Sequence, residues 1–269
     1  QQNIVELKNR KLDPQTAMSD TLTEALYPNE WRQQPLLIED LSNVSYDRIL
    51  DMAKERTANA NGWLFEIIGN YNDSTIRPLI CQYLGSLPAK GKNVSAKRVI
   101  FTTNKSVDKT FERKMETPKA MAQIVWINTT MPWTLERSIQ ARIAGEALSM
   151  DYLKKIREDA SAAYTCGALS RFFLADDGYH VGQLIAYCPM KPEKKDIAVK
   201  ILNKAPIDLT EKCDAEVLEK IKKTMIKNYE DDLKTNNYWN EIVFDNYLMH
   251  QDNDTQYRSL VESQTPEQI

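Results

Sequence analysis

The Asp176-Asp-Gly178 triplet constrains this chain more than any other short stretch. It stands between two apolar runs, 163–175 and 179–189, and an Asp-Gly step supplies the left-handed conformations that a tight hairpin turn requires. The spacing predicts two antiparallel strands there. A third apolar run, 120–127, reads as a buried strand upstream. Between it and the hairpin, Pro132 and Thr134 open a helix through Leu135, Ile139, Ile143, Ala147, Met150 and Leu153. After the hairpin come helical patterns at 193–205, 214–235, 238–250 and 255–262. In the second of these, Leu218, Ile221, Met225, Tyr229 and Leu233 form one stripe. Strand, helix, hairpin and helices in that order predict an α+β fold, an antiparallel sheet with helices packed on one face.

The first third of the chain repeats part of this grammar. Residues 14–27 read as a helix ending before Pro28, with an irregular segment to about residue 40. Ser45 caps a helix to Thr57, and residues 59–62 make a turn. Residues 63–69 are a near-continuous apolar run closed by Gly69, which predicts a strand. Ser74 is the expected cap of a helix through Ile76, Leu79, Ile80 and Tyr83, stopped by Leu84-Gly-Ser-Leu-Pro88. Lys90, Lys92, Lys97, Arg98, Lys105 and Lys109, mixed with small polar residues, read as a solvated linker with an edge strand at 98–102. The organisation predicted is a unit at 1–90, a linker at 91–112 and a second unit at 113–269. Near the end, Thr265 and Gln268 form a capping box with Pro266 at the first helical position, which predicts a fragment of a longer protein.

Composition narrows the function. A chain of 269 residues holds one large or two ordinary domains, and 42% apolar with 27% charged residues is a globular composition. No apolar run approaches the length of a membrane span. A net charge of −3 without a basic stripe argues against nucleic acid as a partner. Cys81, Cys166, Cys188 and Cys213 contain no C-x-x-C pair, and Cys166 and Cys188 sit in apolar runs as expected of buried thiols. They fix no compartment.

Most catalytic chemistries lack their residues here. A hydrolytic zinc needs several nitrogen or oxygen ligands and a carboxylate base, yet only His180 and His250 are present, outside any H-E-x-x-H or H-x-x-E-H pattern. The expectation for this chain is no catalytic residue, no metal ligand and no cofactor. No G-x-S-x-G elbow exists, and Cys166 has no histidine near it in sequence. Gly178 and Gly182 read as hairpin glycines, not a phosphate loop. What remains is Arg157 and Tyr164, seven residues apart across the junction of the long helix and the hairpin. A cation at a helix end and a phenol at the mouth of a strand suit an oxyanion or a peptide carbonyl. On spacing alone, a surface arginine and a half-buried strand tyrosine are the plain alternative.

Two segments together resemble the pitrilysin (insulinase-type) zinc peptidase family. The first is Asp47-Arg-Ile-Leu-Asp-Met-Ala-Lys-Glu-Arg56, then the run ending Gly69-Asn70, then the helix closing on Tyr83-Leu-Gly-Ser-Leu-Pro88. The second is Ile156-Arg-Glu-Asp through Ala163-Tyr164, similar to the family's L-R-E-x-x-x-x-x-Y junction. The resemblance spans roughly residues 45–263. It implies two homologous α+β units, the first partial and the second truncated at its end, which together form the C-terminal, non-zinc half of a clamshell peptidase. It further implies that zinc belongs to an N-terminal half of the same polypeptide or to a catalytic partner subunit. Arg157 and Tyr164 would then face a peptide substrate, and the parent would be a zinc metalloendopeptidase whose fragment is inactive alone. Many members carry a glycine between the acidic turn and the tyrosine. Here the run is Asp159-Ala-Ser-Ala-Ala163, so the turn is expected to be less bent or helical for longer. The alternatives are an inactive scaffold or partner subunit of the same family, and a freestanding peptide-binding domain, against which the capping box argues.

Overall fold

The computed structural model describes residues 2–10, 12–28, 30–91, 106–114, 116–174 and 180–269. The chain divides into two compact units, Gln1–Phe65 with Asn70–Lys114, and Glu66–Gly69 with Met115–Ile269.

The first unit is helical. In α1 (Gln2–Arg10) and α2 (Pro14–Leu26), Arg10 Nη2 reaches Asp20 Oδ1 at 2.7 Å. The start of α2 follows from its sequence: Asp13 Oδ2 accepts from the Thr16 N–H at 2.7 Å and Pro14 fills the first turn. α1 and the five-residue α3 (Ile38–Ser42) pack together. Neither was expected, because each is too short to show a helical period. α4 (Tyr46–Thr57) carries the expected cap, Ser45 Oγ accepting from the Arg48 N–H at 3.2 Å.

α5 (Asp73–Tyr83) begins earlier than expected, at Asn72 and not Ser74. Asn72 Oδ1 accepts from the Ser74 N–H at 2.9 Å and from its hydroxyl at 2.5 Å. The glycine of the motif that follows α5 has a steric reason. A Cβ at Gly85 would lie 2.8 Å from the Cys81 carbonyl oxygen. One expectation fails outright: residues 63–69 pair with no strand among the described residues. A strand is defined by a ladder, and an apolar run supplies side chains without supplying the partner. Trp63, Phe65 and Ile67 are left exposed. Lys90 and Lys109 are on the surface, whereas Lys92, Lys97, Arg98, Lys105 and the edge strand expected at 98–102 lie outside the described residues.

The second unit is the α+β fold that the sequence predicts. Its sheet has three antiparallel strands in the order β1 (Ala120–Asn128), β3 (His180–Met190), β2 (Gly167–Leu174). Ala120 faces Met190 and Asn128 faces Gly182 on one side of β3, while Gly167 faces Tyr187 and Leu174 faces His180 on the other. The turn at Asp176-Asp-Gly178 lies outside the described residues. Because β-strand side chains alternate, this register sorts the sheet into two faces. Ala122, Ile124, Ala168, Ala186 and Cys188 join one core with Leu148, Tyr152 and Ile156. On the opposite face Leu169 and Tyr187 remain 43% and 44% exposed. β1 is therefore half-buried along its length and not the buried strand expected.

α6 (Leu135–Tyr152) is capped by Thr134, whose Oγ1 accepts from the Arg137 N–H at 3.1 Å. It lies along the outer edge of β2, where backbone groups would otherwise be unpaired. The Ser149 hydroxyl accepts from the Ala168 N–H at 2.8 Å and donates to the Ala168 carbonyl at 2.9 Å. Trp133 Nε1 donates to the Phe172 carbonyl at 3.2 Å. Gly145 allows the close approach, since a Cβ there would sit 3.0 Å from Ser170 Cβ and 3.1 Å from its backbone nitrogen.

α7 (Lys195–Glu211) runs past the expected end at 205, with Pro206 inside it. Proline has no N–H for the carbonyl four residues back, here Leu202. The buried Tyr152 hydroxyl donates to that carbonyl at 2.9 Å instead, so the helix continues. α8 (Ala215–Asp232) falls within the helix expected at 214–235, is capped by Asp214, and buries Leu218, Ile221 and Met225. α9 (Asn236–Met249) and α10 (Tyr257–Ser263) follow. Asp254 Oδ1 accepts from Tyr229 at 2.9 Å and Tyr238 at 2.6 Å, joining α8 to α9. Of the capping box expected at Thr265 and Gln268, the Gln268 half forms: its side-chain oxygen accepts from the Thr265 N–H at 2.8 Å, while the Gln268 N–H donates to the Thr265 carbonyl at 3.1 Å. Among the described residues, no helix is long and apolar enough to cross a membrane.

Candidate functional site

The long helix does not stop at Tyr152. Residues Leu153–Asp159 continue it with a widened turn, in which the Ala160 N–H donates to the Lys155 carbonyl five residues back at 3.1 Å. Ile156 stays buried while Arg157 comes to the surface. The helix ends at Ser161, which adopts a left-handed φ of 48°. The Ala162 N–H then closes the end on the Ile156 carbonyl at 2.8 Å. This is one residue wider than the usual left-handed helix stop, as the extra residue of the widened turn requires. The absent glycine is thus answered as expected, by a helix that runs longer, and Ser161 does what glycine does more easily.

The strand expected from residue 163 begins only at Gly167, so Tyr164 is a loop residue. The loop is held at its start by the Lys191 N–H donating to the Ala162 carbonyl at 3.2 Å. Tyr164 is 78% exposed, which rules out the half-buried strand tyrosine. The structure brings the two predicted residues together: the Arg157 guanidinium carbon lies 4.8 Å from the centre of the Tyr164 ring. Such stacking orients the guanidinium and leaves its edge donors open.

The charges around the pair are unequal. Lys155 is tied to Asp151 at 2.7 Å and Asp208 at 3.5 Å. The hydrogen bond to Asp151 holds its pKa above the usual lysine value. Arg157 forms no ion pair among the described residues. Its charge is felt beneath the loop, at Cys166. A hydrogen bond from Cys188, then the Arg157 cation, hold the Cys166 thiol below its ordinary pKa, and Cys188 is correspondingly raised.

His180 opens β3, and His250 ends α9 with a left-handed φ of 54°. No group of three or more metal-ligating side chains is found among the described residues. Cys166 and His180 lie at opposite ends of the hairpin, so they form no catalytic pair. One residue escaped the sequence reading. Tyr187 stands opposite Gly167, and a Cβ at Gly167 would lie 3.1 Å from the Tyr187 hydroxyl. A second exposed phenol therefore crosses the strand just after the Tyr164 loop. The hairpin register, had it been counted out from the turn, would have found it.

The sequence model of the peptidase M16 inactive domain matches residues 43–225. No curated protein matches the chain in sequence. The structure is similar to that of the periplasmic protease PqqL from Escherichia coli, with a TM-score of 0.76 and 19% identity over 98% of this chain and 29% of that one. It is also similar to a mutant of the ferredoxin protease FusC in complex with Arabidopsis ferredoxin, with a TM-score of 0.66 and 14% identity over 99% and 29% of the two chains. The peptidase M16 inactive domain from Pseudomonas fluorescens gives a TM-score of 0.66 and 13% identity over 99% of this chain and 64% of that one. The chain thus spans less than a third of the two proteases.

Proposed function

The chain belongs to the family of peptidase M16 inactive domains, and from that premise we propose that it is the non-catalytic, substrate-enclosing half of a zinc metallopeptidase. The domain assignment follows the same reading. Residues up to about 90 complete one pitrilysin-type unit, 91–112 link, and 113–269 form most of the last. The observation that carries the proposal is the Arg157–Tyr164 stack at 4.8 Å, set on an exposed loop with no carboxylate on the arginine among the described residues. A cation neutralised like Lys155 has little to offer a ligand. One held by an aromatic face keeps its charge and its donors.

The substrate is a peptide. The guanidinium and the phenol donate to the carbonyl oxygen of the scissile amide, and those bonds strengthen as the oxygen gains negative charge. Losing one such donor costs about 3 kcal/mol of barrier. Attack on the carbonyl carbon is the work of the N-terminal half or of a catalytic partner subunit. Assistance from this half exists only while the two enclose the substrate, so closure gates turnover.

The test uses the complete peptidase. Arg157→Ala and Tyr164→Phe should each lower kcat/KM on a peptide by about a hundredfold, with zinc content and unfolding midpoint unchanged. Near-normal turnover in both variants would sink the assignment of the pair. A complete, zinc-loaded parent that cleaves no peptide would point to the scaffold role instead.

A further inference from the structure

We propose that Cys166 and Cys188 form a redox pair that closes as a cross-strand disulfide at the base of the Tyr164 loop. The argument starts from register. Gly167 faces Tyr187 across β2 and β3, so the next step outward sets Cys166 opposite Cys188. The kind of pair follows from the Ser149 bonds. Both backbone groups of Ala168 point away from β3, to the Ser149 hydroxyl. Ala168 and Ala186 are therefore a non-hydrogen-bonded pair, and so, two residues along, are Cys166 and Cys188. Such pairs bring Cα atoms to about 4.5 Å, within the roughly 4.4–6.8 Å that a disulfide spans.

The side chains agree with the backbone. Both thiols lie on the core face in one cluster with Tyr152 and Ile156, 5% and 0% exposed. Both are free thiols in this structure. Cys81 is exposed on α5, and Cys213 packs in the other core cluster. Within the second unit, Cys166 and Cys188 are therefore the two that share a core cluster.

The chemistry balances with a small disulfide such as oxidised glutathione as oxidant. The Cys166 thiolate, the more exposed of the two and the one nearer Arg157, attacks a glutathione sulfur and expels one glutathione thiolate. Cys188 then attacks the Cys166 sulfur of the mixed disulfide and expels the second. Two cysteine thiols are oxidised, one disulfide is reduced to two thiols, and the two protons pass to the glutathione thiolates. The consequence is local. The loop carrying Tyr164 is already tied at Ala162 by the Lys191 N–H. A bond at Cys166 ties its other end, so oxidation holds the phenol between two fixed points. This inference does not depend on the peptidase reading.

The full chain is incubated with oxidised glutathione, both folded and during refolding from urea. Remaining thiols are then alkylated and the peptides mapped by mass spectrometry. The expected result is a peptide linking Cys166 to Cys188 by at least one route, lost in Cys166→Ser and in Cys188→Ser but kept in Cys81→Ser. Amide exchange at 163–166 in the linked protein should slow about tenfold. Alkylation of both cysteines after both treatments overturns the proposal. So does their linkage to Cys81 or Cys213 in preference to each other. The refolding arm exposes both thiols, so burial cannot excuse a negative result.

Discussion

The Tyr152 hydroxyl donates to the Leu202 carbonyl at 2.9 Å, and Leu202 is the carbonyl that Pro206 leaves without a partner in α7. A side chain from α6 thus completes the backbone of a different helix. Both groups are buried, so neither has water to fall back on. Tyr152→Phe keeps the ring packing and removes only the donor. It should destabilise the unit by about 1–3 kcal/mol, the cost of an unsatisfied buried acceptor. Urea unfolding of the two proteins checks it, and an unchanged midpoint would mean that the carbonyl finds another donor.

The same residue predicts alkaline sensitivity. Burial, then the nearby Asp151 charge, push the Tyr152 phenol well above the ordinary tyrosine value. The folded state therefore holds this proton where the unfolded chain releases it. The stabilisation is fully present below a pH of about 10, the unfolded value, and is lost as pH rises above it. Tyr229, Tyr238 and Tyr257 are raised too, each by burial first, so part of the slope is theirs. Stability measured from pH 8 to 11 should fall more steeply in the natural chain than in Tyr152→Phe, roughly in line with one proton fewer. Parallel curves would remove Tyr152 from the account.

Helix propensity and packing oppose each other at Gly145. In an isolated helix Gly→Ala adds up to about 1 kcal/mol of stability. Here the new methyl would meet Ser170 Cβ at 3.0 Å and its backbone nitrogen at 3.1 Å, and the strand backbone has little room to retreat. Overpacking of this kind costs about 1–3 kcal/mol. Gly145→Ala should therefore destabilise, and Ser149→Ala, which strips both bonds from Ala168, should do so further along the same edge. A stabilised Gly145→Ala would show that α6 rides less tightly on β2 than the contact distances imply.

Much of the second unit was legible because its signals are local. Thr134 announces its helix by side-chain chemistry alone, as Ser45 does in the first unit, and each cap forms. The apolar runs on either side of the Asp-Gly step pair as read. What escaped depends on partners distant in sequence. Residues 63–69 look like a strand, but no described residue offers the ladder. Pro206 looks like a helix stop until Tyr152, on another helix, supplies the missing donor. Tyr164 was placed at the mouth of a strand because periodicity cannot see a widened helical turn, which consumes one extra residue and delays the strand to Gly167. Arg157 and Tyr164 were found together since the junction keeps both near one helix end. Tyr187 and the Cys166–Cys188 contact were missed because they require the register, which emerges only when the hairpin is counted residue against residue.

Asp254 tests how far two hydrogen bonds share one acceptor. Its Oδ1 receives the Tyr229 and Tyr238 hydroxyls at 2.9 and 2.6 Å, and the two rings meet edge to face at 5.9 Å. Removing either phenol leaves the carboxylate one donor, whereas removing the carboxylate strands both. Asp254→Ala should cost about 2 kcal/mol or more, and each Tyr→Phe about 1 kcal/mol. The Tyr229→Phe and Tyr238→Phe double variant should lose less than the sum of its parts once Asp254→Ala is already present. Strict additivity across that cycle would mean that the three groups act independently.

Ser161 offers the last test, at the hinge between the two site residues. Its φ of 48° is left-handed, a conformation that costs a non-glycine residue about 1–2 kcal/mol. Glycine removes that cost but adds roughly 0.5–1 kcal/mol of entropy lost on folding. Ser161→Gly should therefore be neutral to mildly stabilising. Valine, branched at Cβ, suits the left-handed region worst, so Ser161→Val should destabilise and let the turn open. The loop then loses its aim. In the natural chain the Tyr164 ring lies over the Arg157 guanidinium, and its current should shift the Arg157 Nε–H proton upfield in NMR spectra. That shift should persist in Ser161→Gly and shrink in Ser161→Val. If valine lowers stability yet leaves the shift intact, the stack is held by Lys191 and the strand, and the left-handed turn does not set the geometry of the site.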